Sequence, residues 1–295
     1  MTASWPQLVV LCRHPEFAEE ILLAAGAQSV TQVDAADNPV LEPAPGEAPL
    51  WLRTRTIGLF APGTDLTPAI AALRDTLPDG KQAIVTTAEL EDQEWVRIWL
   101  RDWKPLRFGE RLWVSPRAKL HEIADRDAVI VALDPGLAFG TGTHPSTALC
   151  LDWLAGADLA GKAVLDYGCG SGLLAIAALK LGASRATAVD IDPQALVAAR
   201  DNAEVNAVGA RLEVCGSADY VERQHPVVVA NILAGPLTTL APRLIASTAP
   251  GGTLVMAGLL PQHAEEVQRA YESAFDFAPV VEREDWVRLE GRRRR

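Results

Sequence analysis

Three glycines in five residues, Gly168-Cys169-Gly170-Ser171-Gly172, stand between apolar runs at residues 163–165 and 173–181. The pattern specifies a buried strand, a turn with no room for side chains, and a buried helix, since only glycine enters the left-handed backbone region without strain. The next apolar run, 185–189, ends on Asp190, 22 residues past Gly168. Asp192-Pro193 then offers an N-cap and a first-turn proline to another helix. Further strands are expected at 212–215, 226–230, 252–258 and 280–289, with helices at 236–246 and 262–274. This alternation predicts an α/β, doubly wound, Rossmann-like domain whose ligands bind at the carboxyl edge of a parallel sheet.

The turn also restricts the ligand. Backbone at Gly168 and Gly170 can touch a cofactor directly, because no Cβ intervenes. Asp190 can accept hydrogen bonds from both hydroxyls of a ribose. A dinucleotide fingerprint would read G-x-G-x-x-G and face a diphosphate. Here the spacing is G-x-G-x-G, and Asp166 precedes it. That carboxylate would repel a diphosphate and suits a ligand bearing an ammonium and a sulfonium, which S-adenosylmethionine combines with a ribose. The D-x-G-x-G-x-G pattern resembles motif I of class I methyltransferases. A nucleotide-dependent dehydrogenase is the other reading open at this point.

With 295 residues and 49% apolar content, the chain can build two cores. No apolar run approaches the roughly 20 residues that span a bilayer, and the first residues lack the basic flank of a signal peptide. Cys12, Cys150, Cys169 and Cys215 are scattered, with no C-x-x-C pair. A reducing cytoplasm is the expected location, with no metal site and no disulfide framework. Residues 1–105 hold 8 Lys/Arg against 15 Asp/Glu, and residues 106–291 hold 15 against 23. Neither part carries the basic excess of a phosphate-backbone binder, so direct nucleic-acid binding is not expected and a basic protein partner is favoured. The tail Arg292 to Arg295 reads as a solvated end.

Residues 1–90 follow a β-α-β-β-α-β order: strands at 8–11, 29–33, 50–60 and 83–87, helices at 15–25 and 66–77, and a Pro/Glu/Ala-rich loop at 39–49. That is a ferredoxin-like split unit, read as a substrate-recognition module. Residues 91–125 are assigned to a linker helix and connecting strands. In the helix expected at 91–103, Trp95, Trp99 and Trp103 share one face, as a core stripe or a contact surface for a protein substrate. Residues 107–114 read as a strand or hairpin and 128–133 as a further strand. The catalytic domain is assigned to 126–295.

Two further motifs carry chemistry. The run Asp134-Pro135-Gly136-Leu137-Ala138-Phe139-Gly140-Thr141-Gly142-Thr143-His144-Pro145-Ser146-Thr147 precedes the glycine turn. Its glycines and its aromatic suit a loop that closes over a cofactor, so Phe139, Gly140, Thr141 and Thr147 are candidate contacts, and a helix is expected over 148–154. The second motif, Asn231-Ile232-Leu233-Ala234-Gly235-Pro236-Leu237, puts Asn231 at the end of a buried strand, on the same edge as Asp190. An asparagine carbonyl there, with nearby backbone carbonyls, can accept the hydrogens of an amine and aim its lone pair. Asn231 is thus the catalytic candidate.

Taken in order and spacing, the 134–147 run, D-Y-G-C-G-S-G, D-I-D-P and N-I-L-A-G-P-L resemble the ribosomal protein L-eleven methyltransferase family, from about residue 126 to the end. The ferredoxin-like reading of residues 1–90 agrees with that family's substrate-binding domain. The resemblance implies cofactor contacts at Thr147, Gly168, Asp190 and Asn231. It also implies methylation of the N-terminal α-amine and lysine ε-amines of large-subunit ribosomal protein eleven. Ser146 departs from a threonine frequent in the family but keeps the hydroxyl.

At pH 7, deprotonating an α-amine costs roughly 1 kcal/mol and a lysine about 4–5 kcal/mol. No obvious general base stands out. His144, the one motif histidine, lies beside a proline and reads as structural, so orientation and desolvation of the amine are expected to carry catalysis. A methyltransferase acting on another amine, on glutamine or on RNA is a rival, although Ile232 and Leu233 provide no ring to stack on a planar acceptor. A non-catalytic ribosome-assembly module is another.

Overall fold

The computed structural model describes residues 4–36, 51, 53–79, 82–91, 103–133 and 142–295, and the chain divides into two compact units, Met1–Trp95 and Val96–Arg295. In the first unit, strands β1 (Ser4–Cys12), β2 (Ser29–Asp34), β3 (Thr54–Leu59) and β4 (Ile84–Glu91) form an antiparallel sheet in the order β2-β3-β1-β4. Helices α1 (Pro15–Ala24) and α2 (Thr67–Thr76) lie between them in sequence. Alternation along β1 buries Leu8 and Val10 with Leu22, Phe60 and Leu73. A Cβ on Gly58 would come within 2.9 Å of Leu22, so glycine lets α1 settle on β3. Glu91 ends β4 rather than starting a helix. Trp95, Trp99 and the 39–49 loop lie outside the described residues.

The second unit opens with a small sheet, β5 (Leu106–Phe108), β6 (Leu112–Ser115) and β7 (Val129–Ala132). Phe108, Leu112, Val114 and Val131 are buried in the same core as the main sheet, so β5 and β6 pack within this unit. The main sheet contains β8 (Ala163–Tyr167), β9 (Arg185–Asp190), β10 (Leu212–Gly216), β11 (His225–Asn231), β12 (Thr248–Leu259), β13 (Phe275–Phe277) and β15 (Trp286–Arg293), ordered β10-β9-β8-β11-β12-β15-β13. The five strands from β10 to β12 are parallel, β15 runs antiparallel, and β14 (Val281–Arg283) hairpins onto it.

Both faces are covered. Val227 and Val229 of β11 and Val255 of β12 point to a core shared with α3 (Pro145–Gly156), α4 (Leu173–Lys180) and α5 (Pro193–Val205). Val228, Ala230, Leu254 and Met256 point to the other, with α6 (Ala234–Thr239), α7 (Ala241–Ser247) and α8 (Ala264–Tyr271). Such strands read as unbroken apolar runs because neither face meets water. The fold is the doubly wound α/β arrangement expected from the sequence.

Differences from the sequence reading have local causes. The helix expected at 236–246 is two, broken at Leu240, because Pro242 has no N–H to continue the ladder. The strand expected at 280–289 is a hairpin, turned at Glu284 with φ +54°. The arginine tail is not a free end: Arg292 and Arg293 lie in β15, Arg293 donates to the Thr248 carbonyl, and Arg294 Nε bonds Asp276 at 2.8 Å. Backbone pairing with β12 and β13 fixes it.

Candidate functional site

At the β8/β11 boundary the strand order reverses, which is where open α/β sheets bind ligands. A cavity of about 400 Å³ opens there, between the glycine turn, the first turn of α3 and the end of β11.

The turn is glycine-rich for packing reasons that can be named. Gly168 has φ +80°, and a Cβ on it would lie 2.1 Å from Ile232 Cγ2. Gly172 has φ +77°, and a Cβ there would lie 2.9 Å from Ala199 Cβ, so α4 and α5 would have to separate. Gly168 N and Cys169 N both donate to the Val189 carbonyl, at 2.7 and 3.0 Å, tying the turn to β9.

Asp190 ends β9 partly exposed. Its Oδ2 accepts from Gly170 N at 2.8 Å and its Oδ1 from Asp192 N at 3.0 Å. A carboxylate has about four acceptor positions, so two remain for hydroxyl donors. Asp166 behaves differently from the sequence expectation. Strand alternation turns it toward α4, it is fully buried, and it does not line the cavity. Its Oδ2 accepts from Ala175 N at 3.0 Å, and its Oδ1 is buried with no hydrogen-bond partner among the described residues. Burial pushes this carboxyl up to about 7; nearby Asp190 adds to the rise, while the Ala175 hydrogen bond opposes it.

Asn231 reaches the cavity from the end of β11, and its Nδ2 donates to Thr147 Oγ1 at 3.1 Å. That bond leaves Oδ1 as the acceptor facing any incoming donor. A Cβ on Gly258 would stand 3.1 Å from this Oδ1 and 2.6 Å from the Ile232 carbonyl, so glycine keeps the space beside both clear.

Helix α3 starts at Pro145, earlier than expected, and so turns the end of the 134–147 motif into cavity wall. His144 is its N-cap: Nδ1 accepts from Ser146 N at 3.3 Å and lies 2.8 Å from Ser146 Oγ. Burial holds the imidazole below its ordinary value, with Glu284 pulling the other way. Trp286, across the fold on β15, meets His144 edge-on at 4.6 Å between ring centres and lines the same cavity. Phe139, Gly140 and Thr141 lie outside the described residues.

The structure thus brings Thr147, Gly168, Gly170, Asn231, His144 and Ser146 around one cavity, with Asp190 bonded to its floor. Trp286 and Gly258 were missed. No local pattern marks them; only the return of the last strand beside β12 could place Trp286. A second cavity, about 380 Å³, lies at the opposite sheet edge. Two of its arginines are engaged within the fold: Arg211 donates to the Leu179 and Ala183 carbonyls, and Arg223 pairs with Glu213 at 2.6 Å. Among the described residues, no three His, Cys, Asp or Glu side chains group as metal ligands, and no helix is long and apolar enough to cross a membrane.

Comparison with known proteins agrees with this geometry. The family model described as "Ribosomal protein L11 methyltransferase (PrmA)" matches residues 4–294. A ribosomal protein L11 methyltransferase of Pseudomonas aeruginosa (strain LESB58) is 52% identical over 289 residues, covering 98% of this chain and 97% of the relative. One from Escherichia coli O81 (strain ED1a) is 50% identical over 281 residues, 95% of each chain. The crystal structure of a ribosomal protein L11 methylase from Lactobacillus delbrueckii subsp. bulgaricus aligns with TM-score 0.60 and 30% identity, over 65% of this chain and all of that one. With its glycine turn, its strand-end Asn231 and a match along nearly its whole length, this chain belongs to the ribosomal protein L11 methyltransferase family.

Proposed function

We propose that this chain transfers methyl groups from S-adenosylmethionine to the N-terminal α-amine and lysine ε-amines of ribosomal protein L11. The observation that carries the reading is the pairing, across one cavity, of a bare glycine turn with an asparagine amide locked by Thr147. The site suits that cofactor. Gly168 and Gly170 present backbone without Cβ, Asp190 retains acceptor positions for a ribose, and among the described residues no Lys or Arg lines the cavity to hold a diphosphate.

When bound, the cofactor supplies an electrophilic methyl group on a sulfonium. The chain's own residues do the rest. Asp190 and the backbone of the glycine turn hold the nucleoside end. Asn231 Oδ1 and the Ile232 carbonyl accept amine hydrogens, which aims the nitrogen lone pair. Leu173, Leu174, Ile232 and Trp286 give the cavity apolar walls that strip water from the amine and favour its neutral form.

The first unit recognises the protein substrate, and the acidic balance of residues 1–105 suits a basic protein rather than a nucleic acid. Cytoplasmic work is in keeping with four free cysteines. The test is mass spectrometry of ribosomal proteins and ribosomal RNA after incubation with enzyme and cofactor. Methyl increments on L11, on its α-amine and lysines, are expected. An unmodified L11, or label appearing only in RNA, would overturn the reading.

A further inference from the structure

The first turn of α3 puts a hydroxyl and an imidazole on the wall that Asn231 also lines. Ser146 N donates to His144 Nδ1, so Nδ1 is an acceptor and the ring proton is on Nε2. The 2.8 Å contact from Ser146 Oγ to that same Nδ1 is then an O–H donated by the serine. A serine hydroxyl backed by a neutral imidazole can take a proton at its oxygen while passing its own to the ring. The acceptor needs this, because only about one lysine amine in a few thousand is neutral at pH 7.

We infer that Ser146 and His144 form the route by which the acceptor ammonium loses its proton; this rests on the methyl-transfer reading above. One ammonium N–H bond breaks and its proton bonds to Ser146 Oγ. In the same step the Ser146 O–H proton moves to His144 Nδ1. The electron pair left on nitrogen becomes the nucleophile, and nothing is oxidised or reduced. Burial works against the imidazolium so formed, and Glu284, in the β14–β15 turn, offsets part of that cost. The ring is held edge-on by uncharged Trp286, and it then returns its proton to water. Cys169, on the same cavity, stays a neutral thiol because burial raises it.

Three variants separate this route from a purely structural cap. His144→Asn keeps an oxygen where Nδ1 caps the helix, since asparagine is a favoured N-cap, but accepts no proton. Ser146→Ala removes the hydroxyl and Ser146→Thr restores it. With L11 and labelled cofactor, His144→Asn and Ser146→Ala should each lower kcat roughly 100-fold, in the range of general-base losses, with cofactor Kd changed less than about twofold. Ser146→Thr should recover most of the rate and shows that the position tolerates change. In the wild type, log kcat/KM against pH should be flat above the imidazole's pKa and fall with slope about 1 below it, whereas His144→Asn, limited to amine already neutral, should fall with slope about 1 across the whole range. A folded His144→Asn with wild-type kcat and an unchanged acid limb overturns the route, as does Ser146→Ala at the wild-type rate. Wild-type enzyme leaving L11 unlabelled would instead refute the methyl-transfer reading itself.

Discussion

Replacing Asp166 with asparagine should remove a loss of stability that this fold suffers as pH rises. In the folded chain the carboxyl stays neutral up to about pH 7, against an ordinary value of 3.8. Between those values the folded state holds a proton that the unfolded chain has released. Stability is therefore present at low pH and lost as pH rises toward 7, opposite to the salt-bridged carboxylate. The whole difference corresponds to about 4 kcal/mol, of which about 3 kcal/mol falls between pH 5 and 8. In Asp166→Asn the amide oxygen can still accept from Ala175 N, but its NH₂ takes the place of the unpartnered Oδ1. An unsatisfied buried donor costs about 1–3 kcal/mol at every pH. The variant should thus gain on wild type as pH rises, by about 3 kcal/mol between pH 5 and pH 8. Urea unfolding of both proteins at the two pH values gives the double difference directly. A value under about 0.5 kcal/mol would refute the reasoning, because it would mean that the buried carboxyl titrates alike in both states.

The other predictions concern the cavity. Gly168→Ala meets both a left-handed backbone and the Ile232 methyl at 2.1 Å, so we expect about 2–4 kcal/mol of lost stability. Ile232→Ala should return part of it in a double-mutant cycle followed by thermal melting, and strict additivity would remove the clash as the cause. Asp190→Ala takes away the Gly170 partner along with the proposed ribose acceptor, and calorimetry should show cofactor affinity lower by roughly 10- to 100-fold; unchanged affinity would count against that assignment. Asn231→Ala should cut kcat at least tenfold while leaving cofactor Kd within about threefold. Paired with Thr147→Val, it should be non-additive by about 0.5–3 kcal/mol in kcat/KM. Full additivity would mean that the Thr147 bond does not orient the amide.

The parts of this molecule legible in its sequence were those set by short-range rules. The glycine turn, the Asp192-Pro193 helix start and the Asn231 strand end each follow from a few neighbouring residues, and the structure places all three at the same sheet edge. Asp166 was misjudged, because a motif position says nothing about which face of a strand a residue takes. In β8 it shares a face with Val164, and that face belongs to α4 rather than to the cavity. The arginine tail looked like a free end by composition alone; only the register against β12 and β13 shows that its backbone is paired. Trp286 is a purely tertiary contribution, brought to His144 by a strand that is remote in sequence.

That remote strand explains how the first turn of α3 can be rigid enough for chemistry. Residues 144–147 are held from one side by Asn231 bonding Thr147 and from the other by the β14–β15 hairpin. Two arginines of the hairpin bond α3. Arg283 pairs with Asp152 at 3.1 Å, but both side chains are more than 40% exposed, so the pair contributes at most about 1 kcal/mol. Arg288 is only 12% exposed, and its Nη1 donates to the Leu149 carbonyl at 3.1 Å, with Glu290 3.8 Å from Nη2. A hydrogen bond from a charged donor in such a place is worth about 1.5–3 kcal/mol. Arg288, not the more visible ion pair, is therefore the restraint that matters. Its loss should loosen His144 and Ser146 together, lowering turnover before it lowers cofactor affinity, since Asp190 and the glycine turn are anchored separately on β9.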